Sequence, residues 1–171
     1  MIRDARAEDV EAIASLFRRS FGTLTFLPTL HTAEEDRAFF SGVLSRSEVW
    51  LWEEHGDVLG FAALDGEELT HLYVEPEAHG RGIGGALLDE AKRRRTAGFR
   101  LWVFQQNESA RRFYARRGLE LVRETDGSGN EERSPDALLA WRPGEVSRGA
   151  SPSGRATPPP GAPSSAPSSS S

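Results

Sequence analysis

The sequence has no cysteine in its 171 residues. Disulfides, thiolate metal sites and a cysteine nucleophile are therefore excluded at once. Long apolar runs are also missing. Residues 1–19 mix acids and bases throughout, and no stretch approaches the roughly 20 apolar residues that a membrane-spanning helix requires. Positive charge is in deficit: 21 Lys and Arg against 26 Asp and Glu leave a formal net charge of -5. Nucleic-acid binding, which rests on many phosphate-neutralising cations, is not expected. The 4 histidines are scattered without ligand spacing, so no metal is expected either. The default is a soluble cytoplasmic protein without a membrane or nucleic-acid partner. A homodimer is compatible with a chain of this size, although no interface can be located.

What is present divides in two. From Pro143 onward the residues are mostly Ser, Pro, Gly and Ala with almost no large apolar side chain, which cannot offset the entropy of ordering a backbone. A disordered tail is expected over 143–171, behind one domain over 1–142. In that domain Ile2 to Ala5 suggests a strand, and Val10, Ile13, Ala14, Phe17 and Phe21 form one apolar stripe on a helix over Glu8 to Phe21. Thr32 can cap a second helix, with Glu34, Glu35 and Asp36 in its first turn. Val49 to Glu53, Val58 to Leu64 and Leu69 to Val74 have strand character, and His55-Gly56-Asp57 and Asp65-Gly66-Glu67 suit the hairpin turns between them. A helix over Ile83 to Arg95, a strand over Phe99 to Phe104, a helix over Ser109 to Arg117, and strands over Leu119 to Glu124 and Leu138 to Trp141 complete the pattern. The expected class is α/β: a mostly antiparallel mixed sheet of six to seven strands flanked by about four helices.

His79-Gly80-Arg81-Gly82-Ile83-Gly84-Gly85 joins a strand that Pro76 terminates to a following helix. Glycines let this turn close tightly, and the unpaired N–H groups of the helix start then aim at one point, where the helix dipole adds to them. Such a turn can hold a phosphate, and alone it also fits a nucleotide site or no ligand. A dinucleotide fold is disfavoured because hairpin strands precede the turn. A P-loop is disfavoured because no Lys-Ser or Lys-Thr pair follows. Lys92 to Arg95, Arg111/Arg112 and Arg116/Arg117 lie on helices near the turn, as a solvated face or as charge felt by a polyanion.

Three segments in this order, Leu72-Tyr73-Val74-Glu75-Pro76, Gly80-Arg81-Gly82-Ile83-Gly84-Gly85-Ala86-Leu87-Leu88 and Asn107-Glu108-Ser109-Ala110-Arg111-Arg112-Phe113-Tyr114-Ala115-Arg116-Arg117-Gly118-Leu119, resemble the GNAT superfamily of N-acyltransferases. The resemblance implies acetyl-CoA as acyl donor and co-substrate. Its pyrophosphate would rest on the amides of Gly80, Arg81, Gly82, Ile83, Gly84 and Gly85, and its pantetheine arm along Leu72, Tyr73 and Val74. Family members usually carry Gln or Arg where this chain has His79, and Arg81 can add charge. The acceptor would be an amine of a small molecule or peptide. A second reading is a CoA-binding sensor without turnover.

Acyl transfer to an amine needs a base, donors for the developing oxyanion, and an acid for the thiolate. The resemblance implies Tyr114 as that acid, and a core tyrosine is the plainer alternative. Glu68 matches a position where some family members carry a catalytic glutamate; otherwise it is an exposed hairpin charge. His71 is a substitute base or a buried structural histidine. Strand alternation sets Glu68 and His71 on opposite faces unless a bulge intervenes. Asn107 suits a helix cap, and the resemblance implies contact with the cofactor arm. His31, Glu34, Glu35, Arg37 and the polar loop from Asp126 to Pro135 would shape acceptor entry, with an acidic rim attracting an amine.

Overall fold

The computed structural model describes residues 1–144. Apart from Pro143 and Gly144, the segment expected to be a disordered tail lies outside the described residues. Strand β1 (Ile2–Asp4) is followed by a short 3-10 turn at Ala7–Asp9 and helix α1 (Val10–Phe21). The turn shortens the helix expected from Glu8, because Asp9 folds back to accept the Arg6 amide at 2.6 Å and two Arg3 donors at 2.9 Å each. Helix α2 (Ala33–Arg46) starts on a reciprocal cap: the Glu35 amide donates to Thr32 Oγ1 at 3.2 Å and the Thr32 amide to Glu35 Oε2 at 2.7 Å.

Strands β2 (Glu48–Glu54), β3 (Asp57–Asp65) and β4 (Glu68–Val74) form the antiparallel meander that the turns forecast. Helix α3 (Ile83–Arg94), strand β5 (Phe99–Phe104), helix α4 (Glu108–Arg116) and strands β6 (Glu120–Glu124) and β7 (Asp136–Trp141) follow. Helix α4 begins one residue before the expected Ser109, because Asn107 is its cap. The sheet has seven strands in the order β1-β2-β3-β4-β5-β7-β6, with β4 and β5 its parallel pair.

Helices cover both faces. Ile13, Leu16 and Phe17 of α1 and Phe40 and Val43 of α2 pack on Leu51, Phe61 and Tyr73. Ile83, Leu87, Leu88 and Ala91 of α3 and Tyr114 of α4 pack on Trp50, Leu69, Leu101 and Val103. Each large apolar side chain fully buried in this way contributes about 1.5–3 kcal/mol. Trp50 also donates its indole N–H to the Leu87 carbonyl at 3.2 Å, pinning α3 at a fixed height on the sheet.

Two irregularities place the site. Between β3 and β4 the register steps from Ala63↔His71 to Leu64↔Leu69, so Thr70 is one residue too many in β4. Its hydroxyl donates to the Ala63 carbonyl at 3.2 Å. Between β4 and β5 the pairing is Glu68↔Arg100, after which the strands part.

Candidate active site

Beyond Glu68↔Arg100 no register pair joins β4 to β5, which leaves a gap in the ladder on the side of Val74 and Phe104. Backbone direction follows from one bond: the Glu75 amide donates to Leu59 of β3 at 2.8 Å. By the two-residue period, the N–H groups of Leu72 and Val74 face away from β3 and into the gap. Two donors of fixed geometry thus point at one opening. The Val74 carbonyl is satisfied locally, accepting from Ser20 Oγ at 2.7 Å and from His79 Nε2 at 3.1 Å.

Gly80 and Gly82 both have φ near 82°, in the left-handed region, and no atom would lie within 4 Å of a Cβ on either. Gly82 caps α3 without any side chain, so the N–H groups of Ile83, Gly84 and Gly85 have no acceptor from a cap. Helix α3 has no acid in its first turn, whereas α1, α2 and α4 have Glu11, Glu34 and Glu108 in theirs. Its positive end is not neutralised by its own residues, and the open cradle fits a pyrophosphate. Gly84 and Gly85 do something else. A Cβ on Gly84 would stand 3.3 Å from the Phe113 ring and one on Gly85 2.9 Å from Arg117 Nη2, so these two glycines let α4 close against α3.

Side chains nominated by sequence fall in several places. Leu72 and Val74 pack in the α3/α4 layer, and Tyr73 points to the α1/α2 layer. Tyr114, 9% exposed, shares the cluster of Leu72 and Val74. Its hydroxyl has no hydrogen-bond partner among the described residues, and burial pushes its phenol well above the usual tyrosine range. Asn107 accepts the Ala110 amide at 3.2 Å through Oδ1, so it is a cap, with Nδ2 left over. The Arg81 guanidinium is held by Glu54 at 2.9 and 2.7 Å. The extra residue at Thr70 overrides strict alternation: Leu69 joins the α3/α4 layer, and Glu68 lies on the α1/α2 face with His71. Glu68 is at the apex of the gap, 3.7 Å from Arg100, and burial raises its carboxyl while Arg100 opposes the shift. His71 is enclosed by rings of Phe17, Phe39, Phe40, Phe61 and Tyr73. Burial, with Arg46 nearby, pushes it down to about 3.

A family profile described as an acetyltransferase (GNAT) domain matches residues 45–120. The peptidyl-lysine N-acetyltransferase YiaC of Escherichia coli K12 is 30% identical over 145 residues, covering 82% of this chain and 96% of that protein. The chain belongs to the GNAT family. It is an N-acetyltransferase. The peptidyl-lysine N-acetyltransferase YjaB of Salmonella typhimurium is 30% identical over 123 residues, covering 71% of this chain and 83% of its own. In fold, this GNAT domain is similar to the PaiA N-acetyltransferase of Thermoplasma acidophilum, solved with coenzyme A, at a TM-score of 0.69 and 23% identity, covering 83% of this chain and 98% of that one.

On the expected acceptor side of this GNAT domain several of the acids are engaged internally. His31 is buried, with Nε2 2.9 Å from Glu131 and Nδ1 3.5 Å from Glu35. Arg37 pairs with Glu11 at 2.8 Å. The loop between β6 and β7 is built around Asn130, which donates to the Ser134 carbonyl at 2.7 Å and to Asp136 at 3.0 Å. Part of the acidic rim expected from sequence, Glu35 and Glu131, is thus drawn onto His31 as a brace between α2 and this loop, while Glu34 stays exposed. Asn130 was invisible in the sequence, where Gly-Ser-Gly-Asn suggests only a turn. Among the described residues no cluster of three or more potential ligands could hold a metal, and no helix is long and apolar enough to cross a membrane.

Proposed function

We propose that this enzyme moves an acetyl group from acetyl-CoA to a primary amine, and that the lysine ε-amine of a peptide or protein is the acceptor class. The gap between β4 and β5 carries this reading, because two backbone donors of β4 that face away from β3 belong to residues of the cluster that holds Tyr114. The two curated relatives named as peptidyl-lysine N-acetyltransferases support the acceptor. Acetyl-CoA supplies the thioester.

The chain's own groups then have distinct tasks. The Leu72 and Val74 amides hold the carbonyl oxygen as negative charge grows on it during attack by the amine nitrogen. Tyr114, kept protonated by burial, gives its proton to the departing sulfur as the C–S bond breaks. Glu68 takes the proton that the amine sheds, directly or through water. The first turn of α3 holds the pyrophosphate, and Asn107 Nδ2 is free for the amide-bearing arm. Thiol release from acetyl-CoA, measured over lysine peptides, N-terminal peptides and small amines, tests the reading. Fastest release with lysine peptides supports it, whereas CoA binding without release for any acceptor overturns it.

A further inference from the structure

The side chains that the glycine motif offers to an anion are already occupied. Arg81 is tied to Glu54 and His79 to the Val74 carbonyl. Most cations near the turn are likewise paired: Arg93 and Arg94 with Glu90, Arg111 with Glu124, and Arg112 with Glu108.

Arg117 differs. It is half-buried at the end of α4, and its side chain runs back along that helix, with the guanidinium over the Phe113 ring at 4.0 Å. Its Nη2 and Nε lie 2.9 and 3.2 Å from where a Cβ on Gly85 would stand, against the first turn of α3. Its polar contact is a long one, Nη1 to the Phe113 carbonyl at 3.4 Å. Among the described residues it has no carboxylate partner. A cation in this place is unfavourable, because the start of α3 is the positive end of a helix without acids in its first turn. An anion shared by the α3 amides and the guanidinium reverses the sign of that interaction. A planar guanidinium suits phosphate, since it donates two parallel N–H groups, and the stack on Phe113 fixes its plane in advance.

We infer that Arg117 is a phosphate ligand for the nucleotide end of the acyl donor, and that Gly85 lacks a side chain in order to admit it. This rests on the donor reading above. The test is calorimetric titration of the full chain with CoA and with 3′-dephospho-CoA, for wild type, Arg117→Gln and Arg117→Lys. Arg117→Gln should weaken CoA about tenfold, as loss of one charge-assisted contact predicts, and Arg117→Lys should recover part of it. If the loss persists with 3′-dephospho-CoA, the partner is the pyrophosphate; if it vanishes, the partner is the 3′-phosphate. Both results support the inference. With phosphate-free S-acetylpantetheine as donor, kcat/KM should be the same in wild type and Arg117→Gln. Unchanged CoA affinity in Arg117→Gln overturns the inference. So does an equal fall in kcat/KM with both donors, which would make Arg117 only a brace for α4. Failure of the wild type to bind CoA at all would instead remove the donor reading itself.

Discussion

Tyr114 and Glu68 are both shifted by burial toward their neutral forms, with opposite consequences for the roles proposed for them. A phenol raised above its usual value stays protonated at neutral pH and can serve as an acid. Tyr114→Phe keeps the packing and removes that proton, so kcat should fall about ten- to a thousandfold while KM for acetyl-CoA changes little. A kcat unchanged at saturating acceptor would take Tyr114 out of the mechanism. A raised carboxyl is a stronger base, and it must lose its proton before it can act. The acid limb of the wild-type rate profile should therefore lie above the usual glutamate value, and Glu68→Gln should abolish that limb. Measurement of kcat/KM from pH 5 to 9 decides this. His71 is the weaker candidate, because an imidazole held at about 3 takes up a proton poorly.

Among elements, the contact between α3 and the sheet determines where the glycine turn stands relative to the gap. Gly60 of β3 marks the closest approach: a Cβ there would lie 2.9 Å from Leu87 Cδ1, 3.1 Å from Ile83 Cγ2 and 3.1 Å from the Tyr73 carbonyl. The last of these is backbone and cannot step aside. Gly60→Ala should cost about 1–3 kcal/mol in urea unfolding and weaken CoA binding by lifting the start of α3. Stability equal to wild type would show that α3 can slide. The elements themselves were legible in the sequence, because apolar spacing in α1, the Thr32 cap and the two Gly hairpin turns are local signals. The site was legible only in part. Thr70 looks like any residue in an alternating strand, so the bulge that brings Glu68 and His71 to one face could not be read. The bonds from His79 to Val74 and from Arg81 to Glu54, and the closeness of Gly85 to Arg117, depend on how distant segments meet. The resemblance implies a phosphate role for the amides of all these glycines; the further need for Gly84 and Gly85 to lack side chains, so that α4 can close on α3, has no local signal.

For the whole molecule, the buried His71 makes stability depend on pH. Its folded value near 3 lies below the ordinary 6.5, so as acidity rises the unfolded chain takes up the proton first. Stability should be level above about pH 6.5 and fall below it by about 1.4 kcal/mol per pH unit, before most carboxylates titrate. Urea midpoints between pH 6.5 and 5 measure this slope, and His71→Leu should flatten it. A slope that survives the substitution would assign it to another group. The Glu68↔Arg100 pair has a different consequence. Across its middle the sheet has one backbone rung, so a leaf running from β1 to β4 and a leaf made of β5, β7 and β6 are held together mainly by the core they share under α3 and α4. A pantetheine arm has amides of its own, and laid between the leaves it would act as a temporary strand. The substrate would then complete the architecture during each turnover, and departure of the product would loosen it again.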